Sequence, residues 1–188
     1  MGILVPEEIN EKAISRYLSI SLSNKKGPSY NLNISGIRAI NVDSRKIITK
    51  QREQFFHELC HSLLHPGNQT KMAKTFKLLQ ENKAENFALH CAIPTFMLLK
   101  YEIANLDVAA GIPFIMDKFK VTEEFAKTRL RQFRNKLLQA KSDEELRKRK
   151  EPVYNYSKGI PPRKFPSHTN EIVERALAFK KNQAGVFN

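Results

Sequence analysis

The chain has 188 residues, of which 41% are hydrophobic and 27% are charged, as is usual for one globular domain with a small appendage. No apolar run approaches the roughly 20 residues of a membrane helix, and two cysteines are too few for a disulfide framework, so we expect a cytoplasmic protein without a membrane partner. The net charge of +13 favours acidic partners or nucleic acid, although it also fits a solvated helix surface.

The first quarter of the chain is predicted to hold one helix and a small sheet. Pro6 and the two glutamates that follow it are typical of a helix start, so we expect a helix that continues to about Leu18. A turn is predicted from Asn24 to Pro28. Three short segments rich in β-branched residues predict a small antiparallel sheet: Tyr30–Ile34, Ile37–Val42 and Lys46–Thr49.

Helices are predicted to dominate the remainder of the chain. Apolar residues recur at helical spacing from about residue 52, and proline and glycine mark the ends of the periodic segments. A tight turn at Lys120-Val121 is predicted between the helices Phe114–Phe119 and Thr122–Ala140. In chain order the predicted helices are Arg52–His65, Met72–Cys91, Pro94–Tyr101, Phe114–Phe119, Thr122–Ala140 and a short helix that begins at Ser142.

The C-terminal residues are predicted to form an arm and a last helix. Four prolines lie between Glu151 and Ser167, which favours an extended arm. An amphipathic helix is expected over Thr169–Asn182. The whole pattern predicts an α+β fold dominated by helices.

The most informative segment is His57-Glu58-Leu59-Cys60-His61, a His-Glu-x-x-His pattern inside a predicted helix. Residues four apart on a helix project from one face, so His57 and His61 can bind one tetrahedral zinc ion. Glu58 lies beside this face and can act as a general base toward water without binding the metal. The alternative is that the two histidines simply belong to the surface or core of an amphipathic helix.

A catalytic zinc site of this kind needs a third protein ligand. Glu81 and Glu85 are four residues apart on the next predicted helix and share a face. One of them could bind the metal while the other orients a ligand histidine. The alternative is a solvated face on which the glutamates pair with lysines.

These two segments resemble the ImmA/IrrE family of metallopeptidases. The resemblance lies in residues 52–65, in Glu81-x-x-Ala84-Glu85-x-Phe87-Ala88 and in Pro94, and it continues into a helical hairpin that includes Lys118-Phe119-Lys120-Val121 and Arg129-Leu130. It covers roughly residues 35–135. The chain departs from the family pattern at Cys60, where glycine is usual, at Glu85, where asparagine or aspartate is usual, and at Cys91-Ala92-Ile93, where Leu-Leu-Met is usual.

The resemblance implies a zincin-like metallopeptidase with Zn²⁺ as its cofactor. It places the third zinc ligand at Glu81, with Glu85 as an acid that supports a ligand histidine or as an alternative ligand. It also implies a protein substrate, a specific regulatory protein such as a DNA-binding helix-turn-helix repressor of a phage or mobile element. The expected division is a zincin-like domain at 1–110, a helical hairpin region at 111–150, and the arm and last helix at 151–188.

Other residues that could carry chemistry are assigned simpler roles. His65 is expected to be a packed histidine at the helix end, and Cys60 a small buried thiol. His90 lies on the opposite side of its helix from Glu81, so we exclude it as a ligand. His168 falls in the proline-rich segment and is expected to be exposed.

The predicted hairpin Phe114–Leu130 has the outline of a helix-turn-helix motif followed by basic residues, which suggests DNA contact. However, its second helix carries Phe125, Leu130 and Phe133, which are typical of a core and not of a base-reading surface. We therefore favour a packing or partner-docking role for it.

The sequence thus supports a zinc-dependent endopeptidase with Glu58 as general base. The alternatives are a zinc-containing, non-catalytic regulator or DNA- or protein-binding module, and a toxin component with a peptidase-like fold. The oligomeric state is not predicted.

Overall fold

The computed structural model describes residues 2–64, 72–150 and 174–175. The chain divides into two compact units, Met1–Ser142 and Asp143–Asn188. The predicted α+β, helix-dominated fold is confirmed. None of the helices in the described ranges combines the length and apolar character that crossing a bilayer requires. The predicted boundaries at residues 110 and 150 stay a prediction. The predicted arm, His65 and His168 lie outside the described residues, and so does the predicted last helix except for residues 174–175, which are helical.

The N-terminal segment forms two short helices in place of the one that was predicted. A 3-10 helix covers Pro6–Glu8 and helix α1 covers Glu11–Tyr17. Between them Asn10 is extended, and its side-chain oxygen accepts a hydrogen bond from the backbone N–H of Ala13. This N-cap starts a new helix at Glu11, because it satisfies a backbone donor that the first turn leaves unpaired.

The sheet has three strands, β1 (Ile20–Lys25), β2 (Tyr30–Ile34) and β3 (Ile37–Asp43), in the order β1-β3-β2. β3 pairs parallel to β1 and antiparallel to β2, so the sheet is mixed and not wholly antiparallel as predicted. β1 was missed because its alternation of Ile20 and Leu22 with serines is short. The first predicted strand, Tyr30–Ile34, matches β2, which lies at the edge of the sheet, and the second, Ile37–Val42, matches β3. β1 continues to Lys25, so the predicted turn begins two residues later than Asn24.

The predicted strand Lys46–Thr49 is wrong, because helix α2 begins at Ile48 and continues to Leu64. Asp43 accepts hydrogen bonds from the backbone N–H and the guanidinium of Arg45, which turns the chain out of β3. Ile47, just before the helix, and Ile48, in its first turn, are both exposed. The β-branched run is typical of a strand, but the turn at Asp43 overrides this local preference.

Residues 72–150 form four further α-helices, α3 (Lys74–Ala92), α4 (Thr95–Lys100), α5 (Val108–Phe119) and α6 (Glu123–Lys150), and a 3-10 helix, Ile103–Asn105, lies between α4 and α5. α5 begins six residues earlier than predicted, because the Asp107 side chain caps the N–H of Ala110. A Cβ at Gly111 would lie 3.3 Å from the side chain of Leu130, so the glycine permits close packing of α5 on α6. α6 is continuous through Ser142, where a separate helix was predicted, and Glu144 pairs with Arg147 and Lys148 along it.

Two charged residues near the start of α2 connect it to distant parts of the chain. Arg52 donates to the carboxylate of Glu11 at 2.6 Å and to the backbone carbonyls of Ile9 and Phe119 at 2.8 and 2.6 Å. The buried carboxylate of Glu53 accepts from the backbone N–H and the hydroxyl of Thr122, just before α6. These bonds position α2 against the first and last helices of the compact unit.

We expect Arg52→Leu to lower the free energy of unfolding by about 2–4 kcal/mol, because the Glu11 carboxylate and two carbonyls lose their donor. Urea unfolding followed by circular dichroism measures this loss. Arg16→Leu is the matched control, since the side chain of Arg16 is exposed and has no hydrogen bond or ion pair with the described residues. Equal stability of the two variants would contradict this role of Arg52.

Candidate metal centre

Helix α2 places His57, Glu58 and His61 on its surface next to α3. The neighbouring residues Phe55, Phe56 and Leu59 are buried in the core, so they fix the rotation of the helix. The His61 side chain is 4% exposed and that of His57 is 27% exposed. The two imidazoles therefore lie at the border between the core and the solvent.

Glu81 of α3 meets both histidines. Its Oε2 atom lies 3.2 Å from Nε2 of His57 and 3.6 Å from Nε2 of His61, and the two Nε2 atoms are 3.1 Å apart. Ligand atoms about 2.0–2.1 Å from a tetrahedral zinc ion are separated by roughly 3.3 Å. The three atoms therefore have the spacing of three corners of such a tetrahedron.

Hydrogen bonding alone explains this cluster poorly. A neutral imidazole carries one N–H, and its Nε2 atom either donates or accepts. His57 Nε2 is approached by both a carboxylate oxygen and a second ring nitrogen, so one nitrogen would need to serve two partners. A divalent cation bound by all three atoms satisfies them together, and two imidazoles with one carboxylate are a ligand set that suits zinc.

Glu58 is half-buried beside the histidines. The Nδ2 atom of Asn31, on β2, donates to its Oε2 atom at 3.4 Å. Burial raises the pKa of the Glu58 carboxyl, while Asn31 and His57 oppose the shift. A raised pKa brings a carboxylate closer to the range in which a general base works at neutral pH.

Asn31 was missed by the sequence analysis. The alternation of the strand places Asn31 on the same face as its neighbour Ile40 of β3, which is fully buried. A polar residue at an inward position of a strand was the one available signal, but its partner is 27 residues away in the sequence.

The other predicted residues lie outside the cluster. Among the described residues, the group whose ligand atoms lie within 4.8 Å of one another contains Glu81 and does not contain Glu85, which is exposed. Cys60 is a buried free thiol, and burial raises its pKa. Burial and then the charges of Arg129 and Lys136 lower the pKa of His90.

The predicted helical hairpin is part of the core. Leu130 and Phe133 are each 2% exposed, and Phe125 is partly buried against the same cluster. The packing role that we favoured for this region is therefore consistent with the structure, whereas DNA contact stays a prediction.

The N-terminal half of α2, α3 and α6 also surround a cleft of about 310 Å³ that borders His57. Its polar lining residues include Glu53, Glu85 and Glu124, and its apolar ones include Phe125. A concave space with convergent polar groups next to a metal centre is a usual setting for a ligand.

Comparison with known proteins agrees with these features. A family model described as the IrrE N-terminal-like domain, peptidase family M78, matches residues 14–131. The chain is 38% identical over 133 residues to the phage-like element PBSX protein XkdA of Bacillus subtilis (strain 168), an alignment that spans 71% of this chain and 67% of that protein. It is also 38% identical over 139 residues to the uncharacterized protein YqaB of the same strain, with 74% and 80% of the two chains covered. No solved structure gives a significant match.

The matched residues contain the sheet, α2, α3 and the first part of α6, and therefore the whole candidate metal centre. The predicted family is confirmed. The family model matches from residue 14, whereas the resemblance found in the sequence began at about residue 35. The chain belongs to the ImmA/IrrE family of metallopeptidases, peptidase family M78.

Proposed function

We propose that this chain is a zinc-dependent endopeptidase in which His57, His61 and Glu81 bind the metal and Glu58 is the general base. The observation that best supports the proposal is the approach of two imidazole nitrogens and a carboxylate oxygen to within 3.1–3.6 Å of one another. Membership of a metallopeptidase family supports the same class of reaction.

The chemistry is divided between the metal and the side chains. When bound, zinc polarises the scissile carbonyl and lowers the pKa of the attacking water. Glu58 accepts the proton of that water and then gives it to the leaving amine. Asn31 donates a hydrogen bond to the Glu58 carboxylate at 3.4 Å, and Glu58 is not one of the three proposed metal ligands.

The edge of the sheet offers a place for an extended substrate. Among the described residues β2 pairs with β3 alone, so the backbone groups on its other side have no strand partner in that part of the chain. Since Asn31 on this strand contacts Glu58, a peptide that added to the edge of β2 would pass next to the general base.

For the substrate we propose a DNA-binding repressor of a phage or mobile element, encoded near the gene for this chain. One relative is named a phage-like element protein, and that name supports a mobile-element setting. The cytoplasm is the expected compartment.

A second candidate is a zinc-containing regulator that binds DNA and does not cleave protein. The net charge of +13 favours it, together with basic side chains that are exposed along α6: Lys127, Arg131, Lys136 and Lys141. Mobility-shift assays with duplex DNA over a salt series separate the two candidates. Binding that falls steeply with salt, without any proteolysis, would favour the regulator.

The proposed ligand set predicts a sharp division among four variants. His61→Ala and Glu81→Ala are each expected to lower the bound zinc from about one ion per chain to a small fraction, because two remaining ligands hold zinc weakly. His90→Ala and Glu85→Ala are the matched controls and are expected to keep it. Metal analysis of the purified, dialysed proteins measures the zinc content. Loss of zinc from Glu85→Ala but not from Glu81→Ala would reverse the assignment of the third ligand.

Glu58→Gln is expected to keep zinc and lower the rate of cleavage of the neighbouring repressor by at least about 100-fold, because an amide cannot accept the proton. Gel electrophoresis of the purified repressor, incubated with each zinc-loaded protein, gives the rates. Glu145→Gln, at an exposed position of α6, is the control that should cleave like the parent protein. Undiminished cleavage by Glu58→Gln would remove Glu58 as the base.

A further inference from the structure

The cleft beside His57 has a chemistry that the proposed reaction does not use. Three helices form it: α2 supplies Lys50, Glu53 and His57, α3 supplies Glu85, and α6 supplies Glu124 and Phe125. Because His57 is both a lining residue and a proposed metal ligand, a peptide held at the metal would have a neighbouring side chain at the mouth of this cleft.

The carboxylates of the cleft differ in how they are engaged. Glu53 is buried, and its two oxygens are taken by Thr122 and by Lys50, whose ammonium lies 2.8 Å from Oε2. Glu85 and Glu124 are exposed, and neither carboxylate has a hydrogen bond or ion pair within the part of the chain that the structure describes. Three glutamates and one lysine line the cleft, so its formal charge is −2. Because Lys50 pairs with Glu53, this charge belongs to Glu85 and Glu124.

The walls of the cleft between these carboxylates are apolar. Ala88 is 2% exposed and Leu89 is 5% exposed, and Phe125 is partly buried beside them. A lysine or arginine has an aliphatic stem that packs on such a surface and a charged end that seeks polar partners. The ring of Phe125 can also attract a cation.

We propose that this cleft binds a lysine or arginine side chain of the substrate, within one or two residues of the scissile bond, and that Glu85 and Glu124 receive its positive charge. The inference rests on the proposed function and names the specificity of that same site. An acidic side chain would be repelled by the two carboxylates, and a purely apolar one would leave them without a partner. A lysine or arginine side chain can pack its aliphatic stem on the apolar walls and place its charge next to the two carboxylates.

The first test is a digestion of peptides by the zinc-loaded full chain. The probe is a library prepared from a bacterial proteome with a glutamate-specific protease, so that its peptides keep internal lysines and arginines. We expect most cleaved bonds to have lysine or arginine within two residues. The neighbouring repressor is incubated in parallel with the same preparation. Cleavage without this enrichment overturns the inference and leaves the proposed function standing, whereas failure to cleave both the library and the repressor overturns both. If the repressor alone is cleaved, the absence of lysine or arginine within two residues of its cleaved bond overturns the inference.

The second test uses a quenched fluorescent peptide from that library in two forms, with lysine or with norleucine at the selected position. Norleucine keeps the aliphatic stem and lacks the charge. Glu124→Gln is expected to reduce the preference for lysine in kcat/KM by about tenfold, mainly through KM, since a charge-assisted hydrogen bond becomes a neutral one. Glu85→Gln is expected to act in the same direction, and the norleucine peptide should be cleaved at the parent rate.

Glu123→Gln is the matched control, because Glu123 is the exposed neighbour of Glu124, pairs with Lys127 and does not line the cleft. It is expected to keep the full preference for lysine. An unchanged preference in both Glu85→Gln and Glu124→Gln overturns the inference. An equal loss of activity toward both peptides also overturns it, because that result indicates a structural role.

Discussion

The candidate metal centre depends on the close packing of α2 against α3. These two helices have the most extensive contact of any pair of elements in the described chain. The buried stripe of α3 carries Ala84, Ala88 and Ala92, each at most 2% exposed, and small side chains allow two helix axes to approach closely. Glu81 lies one turn before Ala84 on this helix. Because the two helices are close, the Glu81 carboxylate reaches both histidines of α2. Larger side chains in place of the three alanines would separate the three ligands.

The position of α2 is set by polar contacts as well as by its apolar face. Arg52 and Glu53 lie just over one turn before His57, and each bonds to an element remote in sequence. Arg52 contacts the N-terminal segment and the end of α5, and Glu53 contacts Thr122 at the start of α6. An apolar stripe permits some sliding and rotation, whereas directed hydrogen bonds to fixed carbonyls do not. The two residues therefore restrict the orientation of the helix that carries the site.

Features that depend on residues close together in the sequence, such as helices and turns, were predicted correctly around the site. Periodicity and turn residues predicted the helix around His57, the spacing of its histidines and the end of α5 at Phe119, which precedes Lys120 in a left-handed conformation. The choice of Glu81 over Glu85 required the family resemblance, because both share a helix face. The pairing of β1 with β3 and the contact of Asn31 with Glu58 join residues far apart in sequence, and periodicity carries no information about such contacts.

The charge of the whole chain and the charge of the cleft have opposite signs, and this contrast bears on selectivity. A DNA-binding repressor is itself rich in basic residues, so a chain with a net charge of +13 does not attract it by net charge. Screening by salt limits that repulsion to about 8–10 Å, while the pair of carboxylates in the cleft acts at contact distance. Under the specificity proposed for the cleft, a basic segment is held only where its backbone can also reach the metal centre. Recognition of the proposed repressor then depends on an accessible, extended stretch of that protein and less on its overall charge.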